Sequence, residues 1–304
     1  MLPSIVENNL KKLIGDRKAS DFRSAYAQLS ESYRDATSPK INVDGALAYA
    51  CARMPVTYAV IQYVIDEFVR KVPNYVFRDI LDIGSGTGAL MCYFLNDELS
   101  YTAIEKSKTM IEVSRNLISG GTLIPEFHCC DVQQAVTQQH DCTFLVYSLN
   151  EMSDKSAILQ KAVDCTNDYI FVIETGTPVG FEVIRLAKQV AAKNKLGVIA
   201  PCATENCPLT ANDWCHFSVR VPRTELHNLV KNSTLPYEDE KFGYIILSKK
   251  SAEYCSNNRI IKRPMKKKGH AIFDLCTDSG TRRVISSDKK HRKAEWGEEL
   301  GDIQ

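Results

Sequence analysis

The chain has 304 residues, a formal net charge of +1, 44% hydrophobic residues and 25% charged residues, which is typical of a globular protein with one large core or two modest ones. No apolar run is long enough to cross a bilayer, and residues 1–20 have neither the apolar core of a signal peptide nor the acid-poor composition of a transit peptide. We therefore expect no membrane contact and a cytoplasmic location.

The N-terminal part of the chain is predicted to be helical. Apolar residues recur at helical spacing over residues 1–47, which indicates two or three helices with an interruption at 38–39. A stronger helical pattern runs over 48–68, where Pro55 should either start a second helix or kink the first. Arg53, which closely precedes it, is a solvated residue in one interpretation and faces a ligand crevice in the other.

Residues 80–90 form the clearest motif of the chain, Ile-Leu-Asp-Ile-Gly-Ser-Gly-Thr-Gly-Ala-Leu. An apolar run that ends in a carboxylate, a glycine-rich turn and an apolar helix start predict a strand, a tight loop and a helix that open a parallel sheet. The glycines allow a ligand to lie directly against the backbone, but the spacing is not the Gly-x-Gly-x-x-Gly of a dinucleotide loop. The motif resembles instead the first motif of S-adenosylmethionine-dependent methyltransferases, and its predicted cofactor-binding residues are Asp82, Gly84, Ser85, Gly86 and Gly88.

Two further acids are candidates for holding the same cofactor. Residues 100–105 are predicted to form the second strand, closed by Glu105, which lies seventeen residues beyond Gly88 and suits an acceptor for both ribose hydroxyls. The alternative is a surface glutamate. A short third strand is predicted over 126–131, and Asp131 at its end is a candidate partner for the adenine amino group.

Long apolar runs at 142–149 and 168–174 are typical of strands that are buried on both faces of a sheet. Asn150 stands at the carboxyl end of the first run and is the last candidate cofactor-binding residue. A helix at 181–195 and a late strand at 240–247 follow. This alternation predicts an α/β fold, a doubly wound, Rossmann-like methyltransferase sheet with its site at the carboxyl ends of the strands.

Eleven cysteines without a secretion signal argue against disulfides and indicate core thiols and ligands. Three of them lie in a breaker-rich loop with the spacing C-x4-C-x7-C, namely Cys202, Cys207 and Cys215. Such thiols gain little from burial and oxidise readily unless they are ligated. A zinc ion or an iron–sulfur cluster needs a fourth ligand, for which His216, Cys255 and Cys276 are candidates, and spacing alone does not choose the metal. Unligated structural thiols are the remaining alternative.

The end of the chain is basic, with twelve Lys or Arg residues against three Asp residues over 259–293. The cations alternate with strand-like segments at 259–262, 270–276 and 282–286. Since phosphate contacts release counterions, this pattern favours salt-dependent RNA binding, and a solvated surface is the alternative. The predicted domains are an N-terminal helical region at 1–70, a methyltransferase-like domain at 71–250 with a cysteine insertion at 200–217, and a basic, β-rich C-terminal extension at 251–304.

Further motifs are spread along the chain: Arg-Met-Pro-Val-Thr-Tyr-Ala at 53–59, Glu-Thr-Gly-Thr-Pro at 174–178, Ala-Pro-Cys at 200–202, Cys-Pro-Leu at 207–209, Asp-Trp-Cys-His-Phe at 213–217, Tyr-Glu-Asp-Glu-Lys-Phe at 237–242, Gly-His at 269–270 and Asp-Leu-Cys at 274–276. Together with the glycine loop, they resemble the methyltransferase-like small-ribosomal-subunit assembly proteins of mitochondria and many bacteria. The resemblance implies binding to the small subunit and its rRNA, S-adenosylmethionine as cofactor, and a four-iron, four-sulfur cluster (4Fe-4S) on Cys202, Cys207, Cys215 and Cys276. It leaves His216 and Cys255 as bystanders.

Catalysis is left open by the sequence. The family often has a proline where this chain has Thr175, and residues 148–152 lack both prolines of the Asp/Asn-Pro-Pro-Tyr loop that holds an acceptor amine. No cysteine nucleophile stands at that strand end, so no catalytic residue is assigned. The alternatives are a non-catalytic assembly factor, the same protein with zinc, and a small-molecule methyltransferase. We expect the protein to be a monomer. The mitochondrial matrix is the alternative to the cytoplasmic location.

Overall fold

Residues 1–34, 41–135, 138–204, 206–209, 213–231, 235–250 and 258–301 are described by the computed structural model of the chain. The α-helices in these ranges are α1 Ser4–Ile14, α2 Ala19–Arg34, α3 Val43–Lys71, α4 Ala89–Tyr93, α5 Lys108–Leu117, α6 Lys155–Asp164, α7 Pro178–Lys193 and α8 Glu225–Lys231. The strands are β1 Asp79–Ile83, β2 Ser100–Ile104, β3 Glu126–His128, β4 His140–Val146, β5 Thr166–Thr175, β6 Gly197–Ala200, β7 Phe217–Pro222, β8 Tyr237–Ser248, β9 Asn258–Ile260, β10 Met265–Lys266, β11 Ala271–Thr277, β12 Gly280–Ser286 and β13 Glu299–Leu300.

The larger sheet has the order β3-β2-β1-β4-β5-β8-β6, and β7 also pairs with β8. Strands β1 to β5 are parallel to one another, whereas β8 is antiparallel to β5, β6 and β7. Successive residues of β1 belong to two different hydrophobic cores. Ile80 lies in the core that contains residues of α3 and α4, and Leu81 lies in the core that contains residues of α6 and α7. Helices therefore cover both faces, and the predicted doubly wound, Rossmann-like methyltransferase fold is confirmed.

Helix α3 is a single helix of 29 residues with Pro55 inside it, so of the two alternatives for Pro55 the start of a second helix is wrong. Proline removes one helical hydrogen bond and crowds the preceding turn. The helix is nevertheless continuous, since most of its side chains are buried and tertiary packing offsets this local cost. Its start is fixed by Asn42, whose side chain accepts a hydrogen bond from the Gly45 amide at 2.8 Å. The interruption expected at 38–39 lies outside the described residues.

Several predicted borders move by a few residues. Strand β3 ends at His128 and not at Asp131, because the backbone turns there: the Cys130 amide donates to the His128 carbonyl and the Gln134 amide donates to the Asp131 carbonyl. Helix α7 begins at Pro178, three residues before the predicted start, where the Thr177 hydroxyl caps it. Strands β5 and β8 each extend beyond the predicted range at both ends.

A separate antiparallel sheet follows at the C-terminal end, with the order β10-β11-β9-β13 and with β12 beside β11. It has a small core of its own, formed by Ile260, Ala271, Phe273, Leu275, Val284, Ala294 and Leu300. The expected β appendage is therefore present, and the domain borders assigned from the sequence stay predictions. Within the described residues, no helix has both the length and the apolar character that a membrane crossing requires.

Candidate functional site

The glycine loop lies at the carboxyl end of β1. Gly84, Gly86 and Gly88 have φ angles of +77°, +54° and +87°, which glycine adopts at little cost. A Cβ atom on Gly84 would lie 2.4 Å from the Ser148 Cβ, so this glycine is required for packing. A Cβ atom on Gly86 would meet nothing within 4 Å. The backbone at Gly86 is therefore open to a ligand.

A cavity of about 1180 Å³ opens over this loop. Seven of the eight predicted cofactor-binding residues line it: Asp82, Gly84, Ser85, Gly86, Glu105, Asp131 and Asn150. Gly88 does not line the cavity; it is the N-cap of α4, and a Cβ atom there would lie 3.1 Å from the Ser114 Cβ. The buried Ser85 hydroxyl has no hydrogen-bond partner among the described residues. A crevice of this size, with an unpartnered hydroxyl, fits a nucleoside-sized ligand.

Glu105 follows β2 and is fixed by the backbone. One carboxylate oxygen accepts a hydrogen bond from the Gly86 amide at 3.0 Å, and the other accepts one from the Ser107 amide at 2.8 Å. Burial raises the pKa of Glu105, and the hydrogen bonds from the amides oppose this rise. Each oxygen keeps a further lone pair, so the carboxylate is oriented beside the glycine loop and can still accept hydroxyl donors.

The other two acids of the predicted set differ in environment. Asp82 is buried and accepts a hydrogen bond from the Tyr101 hydroxyl at 2.6 Å. Burial raises the pKa of Asp82 to about 7, and the hydrogen bond from Tyr101 opposes this rise. Asp131 is exposed in the turn after β3, and its carboxylate accepts from the Gln133 amide at 2.8 Å. Asp82 is therefore a buried carboxyl held by Tyr101 next to the glycine loop, whereas Asp131 lies at the solvent-exposed rim of the cavity.

Two carboxyl groups beyond the predicted set complete this end of the sheet. The Asn150 amide donates to one oxygen of Glu174 at 2.9 Å, and the other oxygen of this buried carboxyl has no partner among the described residues. Burial raises the pKa of both Glu174 and Glu151 to about 7. Glu151 lines the cavity. Glu174 does not line the cavity but holds the backbone of Asn150, which does. It was not assigned this role from the sequence, although an apolar run that ends in a carboxylate is the same signal that marked Asp82.

Arg53 fits neither interpretation offered by the sequence. It is mostly buried and forms an ion pair with Glu240 at 2.8 Å, so it is not a solvated residue. It does not line the cavity. Its guanidinium lies 5.4 Å from the ring centre of Tyr147, which does line the cavity and whose φ angle is +53°. Arg53 therefore contacts Tyr147, a residue that lines the cavity, without lining the cavity itself.

A second, smaller cavity of about 40 Å³ is lined by four cysteines that are far apart in the sequence: Cys202, Cys207, Cys215 and Cys276. Three lie in the segment between β6 and β7, and Cys276 lies on β11 of the C-terminal sheet. Burial, followed by the charges of neighbouring thiols, raises the pKa of Cys215 well above its usual range and that of Cys276 to about 11. The structure thus brings the predicted ligand set to one place.

The other two candidate ligands are not in this cavity. The ring of His216 stacks on Trp214 with centroids 5.7 Å apart and contacts Trp296 edge-on at 4.9 Å. Cys255 lies outside the described residues. Among the residues that the structure describes, no three His, Cys, Asp or Glu side chains stand in metal-coordinating geometry. The four thiols therefore share one cavity without coordinating geometry, and four thiolates are the donor set of zinc sites and of iron–sulfur clusters.

The basic end of the chain is only partly available to a ligand. Arg259, the first of the twelve cations counted over 259–293, is 1% exposed and pairs with Glu67 at 2.7 Å and with Glu299 at 2.6 Å, so it is not available to a phosphate. Lys266 and Arg283 form ion pairs within the C-terminal sheet and its connections. Exposed cations for which the described part of the chain shows no ion pair include Lys267, Lys268, Lys289 and Lys290.

The strand order and the glycine loop define a methyltransferase-like α/β protein. The chain belongs to the family described as mitochondrial small ribosomal subunit Rsm22, whose sequence model matches residues 44–301. This match contains the glycine loop and all four cysteines of the second cavity. The resemblance inferred from the motifs is thereby confirmed.

Individual relatives are distant. The human ribosome assembly protein METTL17, mitochondrial, is 23% identical over 84% of this chain and 62% of its own length. The Rsm22-cox11 tandem protein 2, mitochondrial, of Schizosaccharomyces pombe is 21% identical over 98% of this chain and 48% of its own length. The chain therefore spans about half to three fifths of these curated relatives.

Among solved structures, the plantazolicin methyltransferase BpumL, in complex with a triazolic desmethylPZN analogue and SAH, has a TM-score of 0.46 and 12% identity over 79% of this chain and 98% of its own. The magnesium protoporphyrin IX methyltransferase ChlM from Synechocystis PCC 6803, with bound SAM, has a TM-score of 0.43 and 11% identity over 76% of this chain and 96% of its own.

Proposed function

We propose that the chain is an S-adenosylmethionine-binding, iron–sulfur, methyltransferase-like protein that acts on the small ribosomal subunit during its assembly. The observation that carries the proposal is that the family match at 44–301 contains both the crevice over the glycine loop and the cavity with four cysteines. The relatives are mitochondrial by name, which supports the mitochondrial alternative over the cytoplasmic expectation.

The crevice supports the cofactor part of the proposal. The open backbone at Gly86, the unpartnered Ser85 hydroxyl and the oriented Glu105 carboxylate suit a ligand with a ribose. Glu105 would accept from the ribose hydroxyls, and Asp131 at the rim would accept from the adenine amino group. When bound, S-adenosylmethionine supplies an electrophilic methyl group on a sulfonium.

Isothermal titration calorimetry on the intact, metal-loaded chain tests this part directly. We expect S-adenosylmethionine and S-adenosylhomocysteine to bind with similar affinity, since the contacts named above are to the nucleoside that they share. An absence of heat for both ligands, in a chain whose folding is verified, would contradict the cofactor part and leave the assembly role standing.

The second cavity supports the metal part. Metal coordination by Cys276 and the three loop cysteines would tie the C-terminal sheet to the larger sheet, because these ligands come from both. Anaerobic purification with iron and sulfide analysis and a visible spectrum distinguishes the two metals. A brown protein supports the four-iron, four-sulfur cluster, whereas a colourless protein with stoichiometric zinc supports the zinc alternative.

The exposed cations of the C-terminal part support rRNA as the partner. Lys267 and Lys268 lie before β11, and Lys289 and Lys290 lie after β12. Phosphate contacts by these side chains would give affinity that falls steeply with salt. Binding to a small-subunit rRNA fragment at two salt concentrations, with all four lysines replaced by glutamine, tests this part. Affinity that is insensitive to salt and to these replacements would contradict it.

A non-catalytic assembly factor is the second candidate function. The segment after β4 lacks the prolines that position the amine of a methyl acceptor. The Ser148 hydroxyl in this segment donates a hydrogen bond to the Ile83 carbonyl at 2.7 Å, so it is engaged within the protein. Transfer of a labelled methyl group to immature small subunits decides between the two. Incorporation that is lost when Gly86 is replaced supports methylation, and no incorporation by a protein that binds the cofactor supports the non-catalytic role.

A further inference from the structure

Three buried hydrogen-bond donors surround the cavity with four cysteines. Lys188 of α7, Tyr244 of β8 and Arg259 of β9 all line it. Their exposed fractions are 7%, 1% and 1%. Long cationic side chains are rarely buried unless an anion or several acceptors compensate them, so two of them in one small cavity call for an explanation.

Two of these donors lack an acceptor. The hydroxyl of Tyr244 and the Nε–H group of Arg259 are buried and have no hydrogen-bond partner among the described residues. A buried donor without an acceptor destabilises the fold, and such groups are rare in folded proteins. Both residues line the cavity that Cys215 and Cys276 also line. Thiolate or sulfide sulfur in that cavity would supply the missing acceptors.

Lys188 lies beside the cysteines. Its ammonium donates to the Thr204 carbonyl at 2.5 Å and hydrogen-bonds the Cys202 sulfur. Burial raises the pKa of Cys202, Cys215 and Cys276, and the positive charges of Lys188 and Arg259 oppose this rise. Together with Tyr244, these two cations place hydrogen-bond donors and positive charge at the cavity that the four sulfur atoms line.

A metal–thiolate centre at this cavity carries negative charge. Four thiolates with a Zn²⁺ ion, or with an oxidised four-iron, four-sulfur core, leave two negative charges in excess. Lys188 and Arg259 are two cations that line the same cavity, and Arg259 also pairs with Glu67 and Glu299.

We propose that Lys188, Tyr244 and Arg259 are positioning residues of the metal–thiolate centre, which donate hydrogen bonds to its sulfur atoms and neutralise its charge. This inference rests on the proposed function, since it presupposes a metal at the four cysteines. It adds that the centre depends on side chains of α7, β8 and β9, none of which is a ligand. Arg259 in addition links the centre to α3 through Glu67.

The test uses the full chain freed of metal, with Zn²⁺ as the probe in competition with a chromophoric chelator. Tyr244→Phe removes only the hydroxyl, and Lys188→Met replaces the ammonium by an apolar side chain of similar length. We expect each to weaken Zn²⁺ binding about 10- to 100-fold, the usual effect of losing an outer-shell partner. Lys188→Arg should restore part of the loss, and Lys193→Met on the exposed end of α7 should have no effect.

The melting temperature of the metal-free chain separates positioning from a structural role. Without metal, Tyr244→Phe removes an unsatisfied buried hydroxyl, so the metal-free variant should melt at the same temperature as wild type or higher. A lower melting temperature with unchanged Zn²⁺ affinity would overturn the inference. So would unchanged affinity in both variants while the wild type binds. A wild-type chain that binds neither Zn²⁺ nor iron would overturn the metal part of the proposed function itself.

Discussion

Replacing Gly86 by alanine adds one methyl group at the point where the crevice meets the glycine loop. In the ligand-free protein the cost is one of backbone conformation: the φ angle is +54°, and an L residue pays about 1–2 kcal/mol in the left-handed region. No steric cost adds to this, because the new Cβ would meet nothing within 4 Å. We expect the melting temperature to fall by about 2–4 °C.

With a ligand in the crevice, the same methyl group occupies space that the ligand needs. Overpacking of this kind costs about 1–3 kcal/mol, which corresponds to roughly 5- to 150-fold weaker binding. Calorimetric titration of S-adenosylhomocysteine into the wild type and Gly86→Ala measures this loss. The experiment separates a glycine needed for the turn from one needed for the ligand.

Gly269 provides the matched control. It also has a positive φ angle, +93°, and a Cβ atom there would meet nothing within 4 Å, but it lies before β11 and does not line the crevice. Gly269→Ala should therefore lower the melting temperature by a similar amount and leave binding unchanged. Equal affinity of Gly86→Ala and wild type, or an equal loss in Gly269→Ala, would refute the reasoning.

Three further predictions concern the metal, pH and the buried ion pairs. Cys276→Ser should loosen the C-terminal sheet of the metal-loaded protein, since a ligand that ties the two sheets is lost; unchanged protease resistance would contradict its role as a ligand. Burial raises the pKa of Glu174 from 4.5 to about 7, so the stability it contributes is complete below pH 4.5 and is lost as the pH rises through 7. Glu174→Gln should therefore raise the melting temperature relative to wild type more at pH 8 than at pH 5, and an equal difference at both would count against this. Arg259→Met removes the buried partner of Glu67 and leaves it only the exposed Arg70, so it should lower the free energy of unfolding by up to about 3–5 kcal/mol in urea, whereas Arg283→Met on the surface should change it little.

The parts of the fold predicted best are those with a local cause. The glycine loop and the apolar strands of the parallel sheet have sequence patterns that only a few backbone arrangements satisfy. Of the two alternatives for Pro55, the start of a second helix is wrong, because the local rule against proline in a helix ignores how deeply α3 is buried. Asp131 lies beyond its strand because backbone hydrogen bonds turn the chain at Cys130, and no side-chain pattern marks that turn.

The sequence predicts which residues belong to the candidate site better than it predicts their burial and their hydrogen-bond or ion-pair partners. The four cysteines were named together from motifs, and the structure places them at one cavity. Arg259, in contrast, was counted with the cations of a basic segment. Its partners Glu67 and Glu299 come from other elements, and a sequence does not show which cation of a basic run will be buried. The unpartnered groups of Ser85 and Tyr244 likewise become visible only in three dimensions.

The metal content of the protein tests the central claim most directly. The full chain, purified without oxygen, should contain about four iron and four sulfide per molecule, and Cys276→Ser should lose most of both. Wild-type protein that folds correctly and contains neither iron nor zinc would contradict the account.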